Sequence, residues 1–201
     1  MNIRLLCVTA CVVLLSACMS MPLKTMYKMS QFSPMDIEPQ GLRLAVRTDQ
    51  GIQLQKGAVT ISFGFESLGN GDLAAVKEDY AFKVVILPDV KTGFSPLLFD
   101  GIADNESVTV MQLSEQDAQT MAQAQALIRQ YKAADVDING YFSLGMEGKC
   151  FGNMSAYEYL EADLFLKTNT TEDYFIFMED VDIIEQAQDH DIDLKQINKC
   201  E

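Results

Sequence analysis

"AVTISFGFES", residues 58–67, is the stretch whose pattern decides the fold: Val59, Ile61, Phe63 and Phe65 alternate with Thr60, Ser62, Gly64 and Glu66. A period of two puts the four apolar side chains on one face of a strand and the others on the opposite face. The same alternation recurs on both sides. In "GLRLAVR" (41–47), Leu42, Leu44 and Val46 share one face while Arg43 and Arg47 share the other. "YAFKVVIL" (80–87) and "SVTVMQL" (107–113) predict two more strands, the first stopped by Pro88. Three later strands follow from Phe142, Leu144 and Met146, from Leu160, Ala162, Leu164 and Leu166, and from Tyr174, Ile176 and Met178.

One long stretch has a different period. "SEQDAQTMAQAQALIRQYKA" (114–133) opens on Ser114 with Asp117 three residues on, similar to a capping box, and Met121, Ala124, Ile128 and Tyr131 recur on one side of a helix. An acidic tail, "EDVDIIEQAQDHDIDLKQ" (179–196), begins with a second, short helix. About seven strands with polar outward faces imply antiparallel pairing. The fold class is therefore mainly β to α+β: an antiparallel sandwich or curled sheet with one long helix packed across it.

"ADVDINGYFSLGME" (134–147) invites a competing view. Asp135, Asp137, Asn139 and Gly140 stand where a helix–loop–helix calcium site places its first, third, fifth and sixth residues. Such a loop ends on a bidentate Glu at position twelve and runs into a helix. Position twelve here is Met146, Glu147 falls one place late, and the exit alternates at period two. Asp, Asn and Gly are also the residues a turn selects. A helix-to-strand turn outweighs calcium.

The N-terminus carries a different kind of signal. "MNIRLLCVTACVVLLSACMS" has one charge, Arg4, then an apolar run from Leu5 to Leu15 that is too short for a membrane span. Leu15-Ser16-Ala17-Cys18 resembles the bacterial lipobox. That resemblance implies cleavage before Cys18, a diacylglycerol on its sulfur and a third acyl chain on the new amino group. Met19 after the cysteine implies, by the same resemblance, the outer membrane, with the protein facing the periplasm. Multiple chains anchor a protein stably. The expected organisation is a signal peptide over 1–17, a lipidated N-terminus and tether over 18–40, and a single β-rich domain over 41–201. Beyond the lipobox, the short apolar lead "MPLKTMYKMSQFSP", followed by strands and one central helix, resembles small proteobacterial envelope lipoproteins.

Charge and cysteine count narrow the function. Without Arg4 the remainder holds 14 bases against 29 acids, which opposes nucleic acid and a polybasic grip on lipid. With Cys18 acylated, Cys150 and Cys200 are left as an even pair in an oxidising compartment. A bridge between them contributes roughly 4 kcal/mol in the chain-entropy model. A metal pair is the alternative, but zinc wants four Cys or His ligands and the chain has one histidine, His190.

No motif of nucleophilic, metal-hydrolytic or phosphate-binding chemistry occurs, so an enzyme is not expected. The tether holds Met19, Met21, Met26, Met29 and Met35. Thioethers select Cu(I) but also make adaptable apolar contacts, and no metal or cofactor is assigned. The expected function is a membrane-anchored accessory lipoprotein acting through contact with an envelope protein, with Leu23, Met26, Met29 and Phe32 as partner-binding candidates. The alternative is a binding module for an apolar small molecule or lipid, with Phe63, Phe65, Phe142 and Leu164 lining a cavity between sheet and helix.

Overall fold

A computed structural model describes Thr25 and residues 33–88, 95–146 and 156–189. Among the described residues, eight strands form two antiparallel sheets. Strands β1 (Arg43–Asp49), β4 (Val85–Ile86), β5 (Glu106–Gln112), β7 (Glu161–Lys167) and β8 (Phe175–Asp182) make the larger, in the order β4-β5-β1-β7-β8. Strands β2 (Val59–Ser67), β3 (Val76–Lys83) and β6 (Asn139–Met146) make the smaller, in the order β3-β2-β6. Helix α1 (Glu115–Ala133) links β5 of one sheet to β6 of the other, and the short α2 (Ile183–Asp189) follows β8.

One core joins these layers. Leu44 and Val46 of β1, Ile61, Phe63 and Phe65 of β2, and Met121 and Ile128 of α1 belong to a single buried cluster. The apolar face read from "AVTISFGFES" is thus the inner face of the smaller sheet, each of its four residues at most 2% exposed. The mainly β fold with one long helix is as the period-two and helical patterns imply.

The larger sheet departs from a polar outward face. Its outer side carries Ala45, Val110 and Phe165 in register, covered by Leu98 of the 3-10 turn Pro96–Phe99 and by Tyr174. Both faces of β1 are consequently buried at its centre.

The run "YAFKVVIL" is two strands rather than one. Its first half pairs with β2 and its second with β5. Between them Val84 is fully buried, its N–H donating to the Val59 carbonyl (3.2 Å) and its carbonyl accepting from Gly57 (3.3 Å). The chain changes sheets at that residue, where two consecutive valines break the alternation.

Helix α1 is capped at both ends by its own sequence. Ser114 Oγ accepts the Asp117 N–H (3.1 Å), and Glu115, Asp117 and Lys132 suit the helix dipole. At the other end Asp135 adopts φ +56°. The Val136 N–H bonds the Tyr131 carbonyl (3.0 Å) and the Asp135 N–H that of Lys132 (3.1 Å), a Schellman stop. The "ADVDING" stretch is a helix-to-strand turn.

The described part of the lead lies on the domain. Gln125, 3% exposed on α1, donates to the carbonyls of Pro34 and Ile37, 2.9 Å each. Ile37 is itself buried. Further upstream Thr25 is 4% exposed, and its hydroxyl donates to the Ile176 carbonyl of β8.

Candidate functional site

Cys18, Leu23, Met26, Met29, Phe32, Cys150, His190 and Cys200 lie outside the described residues. The interior residues are described. Phe63 and Phe65 are 1% and 2% exposed, and Phe142 and Leu164 pack against the same cluster. Three surface clefts stand out among the described residues; Phe65 borders one of them, and none is lined by Phe63, Phe142 or Leu164. Between sheet and helix, these side chains fill space rather than line it.

The residues of the calcium-like stretch come together with others that the sequence did not single out. Asp135, Asp137 and Asn139 line a cleft of about 930 Å³ together with Glu66, Leu68 and Asn70. The β2–β3 loop that forms part of its lining is held firmly. Ser67 Oγ donates to the Asp137 carbonyl (2.6 Å) and accepts from Gly69 (3.1 Å). Asn70 Oδ1 accepts from Asp72 (2.9 Å) and Leu73 (2.7 Å), and the Tyr131 hydroxyl reaches the Ala74 carbonyl (2.7 Å). Gly69 has φ +70° and stands where a Cβ would meet the Leu73 carbonyl oxygen at 2.3 Å, so only glycine closes this loop.

On that fixed loop Leu68 is 96% exposed. One exposed leucine is ordinary on any surface. Its setting is less so. A second cleft of about 310 Å³ shares Glu66, Lys77 and Asn139 with the first and adds Tyr141. The Tyr141 ring lies over Gly64, with its hydroxyl donating to Asp79 (2.8 Å). That hydrogen bond, ahead of desolvation and the Asp79 charge, pushes the phenol pKa up. Leu68 and Tyr141 therefore stand among Glu66, Asp79, Asp135 and Asp137, with Lys77 as counter-charge, 3.4 Å from Glu66.

A different polar network crosses the outer face of the larger sheet. Arg47 and Asp163 are opposite each other in the β1–β7 register. The guanidinium donates through Nε (2.9 Å) and Nη2 to Asp163 Oδ2, through Nη1 to the Asp100 carbonyl, and lies 5.4 Å from the Phe165 ring centre. Asp163 Oδ1 accepts the Asp180 N–H (2.8 Å). Asp180 sits at φ +53° beside the irregular β7–β8 pairing. Desolvation first, then the Asp163 and Glu161 charges, push its carboxyl pKa up against the opposing pull of Arg47.

Among the described residues no group of three or more His, Cys, Asp or Glu side chains is placed to hold a metal ion. Nor is any described helix long and apolar enough to cross a membrane. Comparison with protein-family models, with curated proteins and with solved structures finds no match to this chain.

Proposed function

We propose that this chain is a membrane-anchored accessory lipoprotein of the bacterial envelope, without catalytic activity, that works by gripping another envelope protein. The anchor is Cys18, following Leu15-Ser16-Ala17, and the address is the outer membrane facing the periplasm. The observation that carries the contact reading is Leu68, an apolar side chain held out into water by a hydrogen-bonded loop beside an acid-lined cleft. Leaving a leucine unburied forgoes about 1.5–3 kcal/mol of hydrophobic transfer, which a partner recovers by covering it.

Charge selects the partner. Glu66, Asp79, Asp135 and Asp137 surround Leu68 and Tyr141, so the complementary segment is basic with an apolar anchor. Leu23, Met26, Met29 and Phe32 would add flexible apolar contacts from the lead. The packed positions of Phe63, Phe65, Phe142 and Leu164 count against the alternative of an apolar ligand held between sheet and helix.

The test is photocrosslinking in living cells, with the reactive residue at position 68 and, separately, at position 29. One envelope protein recovered in stoichiometric yield from position 68, and lost on Asp79→Lys or Asp135→Lys, is the expected result. No crosslinked partner, together with a lipid or other small ligand co-purifying with the chain, would replace contact by ligand binding.

A further inference from the structure

We propose that the cleft at the Arg43 end of the larger sheet binds a phosphate-type oxyanion. Arg43 and Lys167 are direct neighbours in the β1–β7 register and line a cleft of about 400 Å³ on the sheet's outer side. Like charges placed opposite each other on adjacent strands are destabilising. This chain has 29 acids to draw on for 15 bases, yet neither cation forms an ion pair with a described residue. An anion between them turns that repulsion into attraction.

The donors are arranged for one. Arg43 Nη1 is held by the carbonyls of Gln40 and Leu42, 2.8 Å each. That grip fixes the guanidinium and leaves its Nε and Nη2 edge without an acceptor among the described residues. Such an edge suits two oxygens of one anion. Lys167 Nζ stands 6.0 Å from the centre of the Tyr174 ring. Tyr174 is 7% exposed, and its hydroxyl also has no described acceptor. Burial, ahead of the opposing Arg43 charge and the Asp173 charge, holds that phenol at a pKa of about 12, so it remains a donor at neutral pH.

One carboxylate faces the same cleft, and it is already engaged. Asp173 accepts from Ser95 Oγ (2.9 Å) through one oxygen and from the Tyr174 N–H (2.8 Å) through the other. A second carboxylate, Glu38, accepts the N–H and the hydroxyl of the lining Thr170 (2.8 Å each), so both nearby acids are engaged by neutral donors and the two cations keep no counter-ion among the described residues. Its donors come from three separate segments, β1, β7 and the turn before β8. Donors converging from three directions match the tetrahedral oxygens of phosphate better than the single plane of a carboxylate. The floor is rigid as well: a Cβ on Gly41 would meet the Thr170 nitrogen at 2.5 Å, so backbone packs directly on backbone there.

The experiment titrates the full chain in detergent with inorganic phosphate, and in parallel with glycerol phosphate, at constant ionic strength set by chloride. Saturable binding by the wild type, weakened at least tenfold by Arg43→Gln or Lys167→Gln and abolished by both together, is the expected result. Wild type and Lys167→Gln are also melted with and without phosphate, since Lys167→Gln removes a repulsion and folds even if Arg43→Gln does not. Phosphate should raise the wild-type midpoint and leave that of Lys167→Gln unchanged. Tighter binding of glycerol phosphate than of phosphate assigns the anion to an esterified headgroup; equal or weaker binding assigns it to free phosphate. No saturable binding by the wild type, or equal affinity in wild type and Lys167→Gln, overturns the proposal.

Discussion

Replacing Asp163 by leucine probes the one partly buried ion pair among the described residues. The Arg47 and Asp163 side chains retain 13% and 11% of their exposure. Asp163 accepts two hydrogen bonds from Arg47 and one from the Asp180 N–H. The substitution strands a guanidinium with little water to compensate it and leaves a backbone donor unpaired. Removing one partner of a fully buried pair costs 3–5 kcal/mol, and an orphaned donor adds about 1–3. The residual exposure and the surviving contacts of Arg47 with the Asp100 carbonyl and the Phe165 ring offset part of this. About 3 kcal/mol is the expected loss, or a fall of about 6–12 °C in melting temperature for a chain of this size. The double variant Arg47→Met/Asp163→Leu should recover most of it, because an apolar pair incurs no desolvation penalty. Urea unfolding of wild type, both single variants and the double variant closes the cycle. A single-variant loss below about 1 kcal/mol, or a double variant as unstable as the sum of the singles, would refute the pair as a pin between β1 and β7.

Asp180→Asn should stabilise the protein by up to about 1 kcal/mol at neutral pH, discounted because the side chain is exposed and water screens it. A carboxyl whose folded pKa is raised destabilises the fold only when ionised. The gain should therefore be full above that raised value, shrink as the pH falls toward the ordinary aspartate range, and vanish below it; a gain that persists in acid points to the backbone instead. Asp135→Gly, at φ +56° beside the negative end of α1, should add about 1 kcal/mol by thermal melting, since glycine takes that conformation freely and the carboxylate is lost. Cys150 and Cys200 should appear in one linked fragment in non-reducing peptide mapping of exported protein; two free thiols would reopen the metal pair. Labelling with a fatty-acid analogue should tag the wild type and leave Cys18→Ser blank.

Much of the architecture was legible because alternation and helical period are local. "AVTISFGFES" reads the same in isolation as it does in the core, and Ser114 marks its helix start within three residues. What was not legible depends on pairing between distant segments. Arg47 and Asp163 are 116 residues apart, and nothing in either strand alone says that they meet. The same holds for Arg43 and Lys167. Val84 was hidden differently: a strand that changes sheets keeps its β character, and only the adjacent valines Val84 and Val85 betray the crossing. The lone Ala45 between Arg43 and Arg47 was the available hint that the larger sheet is covered on both sides. Leu68 offered no signal, because exposure belongs to the loop's packing and not to its residue type.

The seat of Thr25 on β8 sets a limit on geography. Six residues separate Cys18 from Thr25. If Cys18 carries the proposed acyl chains at one end, with the Ile176 carbonyl holding the other, that link would span about 25 Å even when pulled straight. A free lead of more than twenty residues would let the body wander far from such an anchor. With Thr25 docked, a body anchored in that way would be moored close to the bilayer, and its neighbours would be whatever stands on or in that same leaflet.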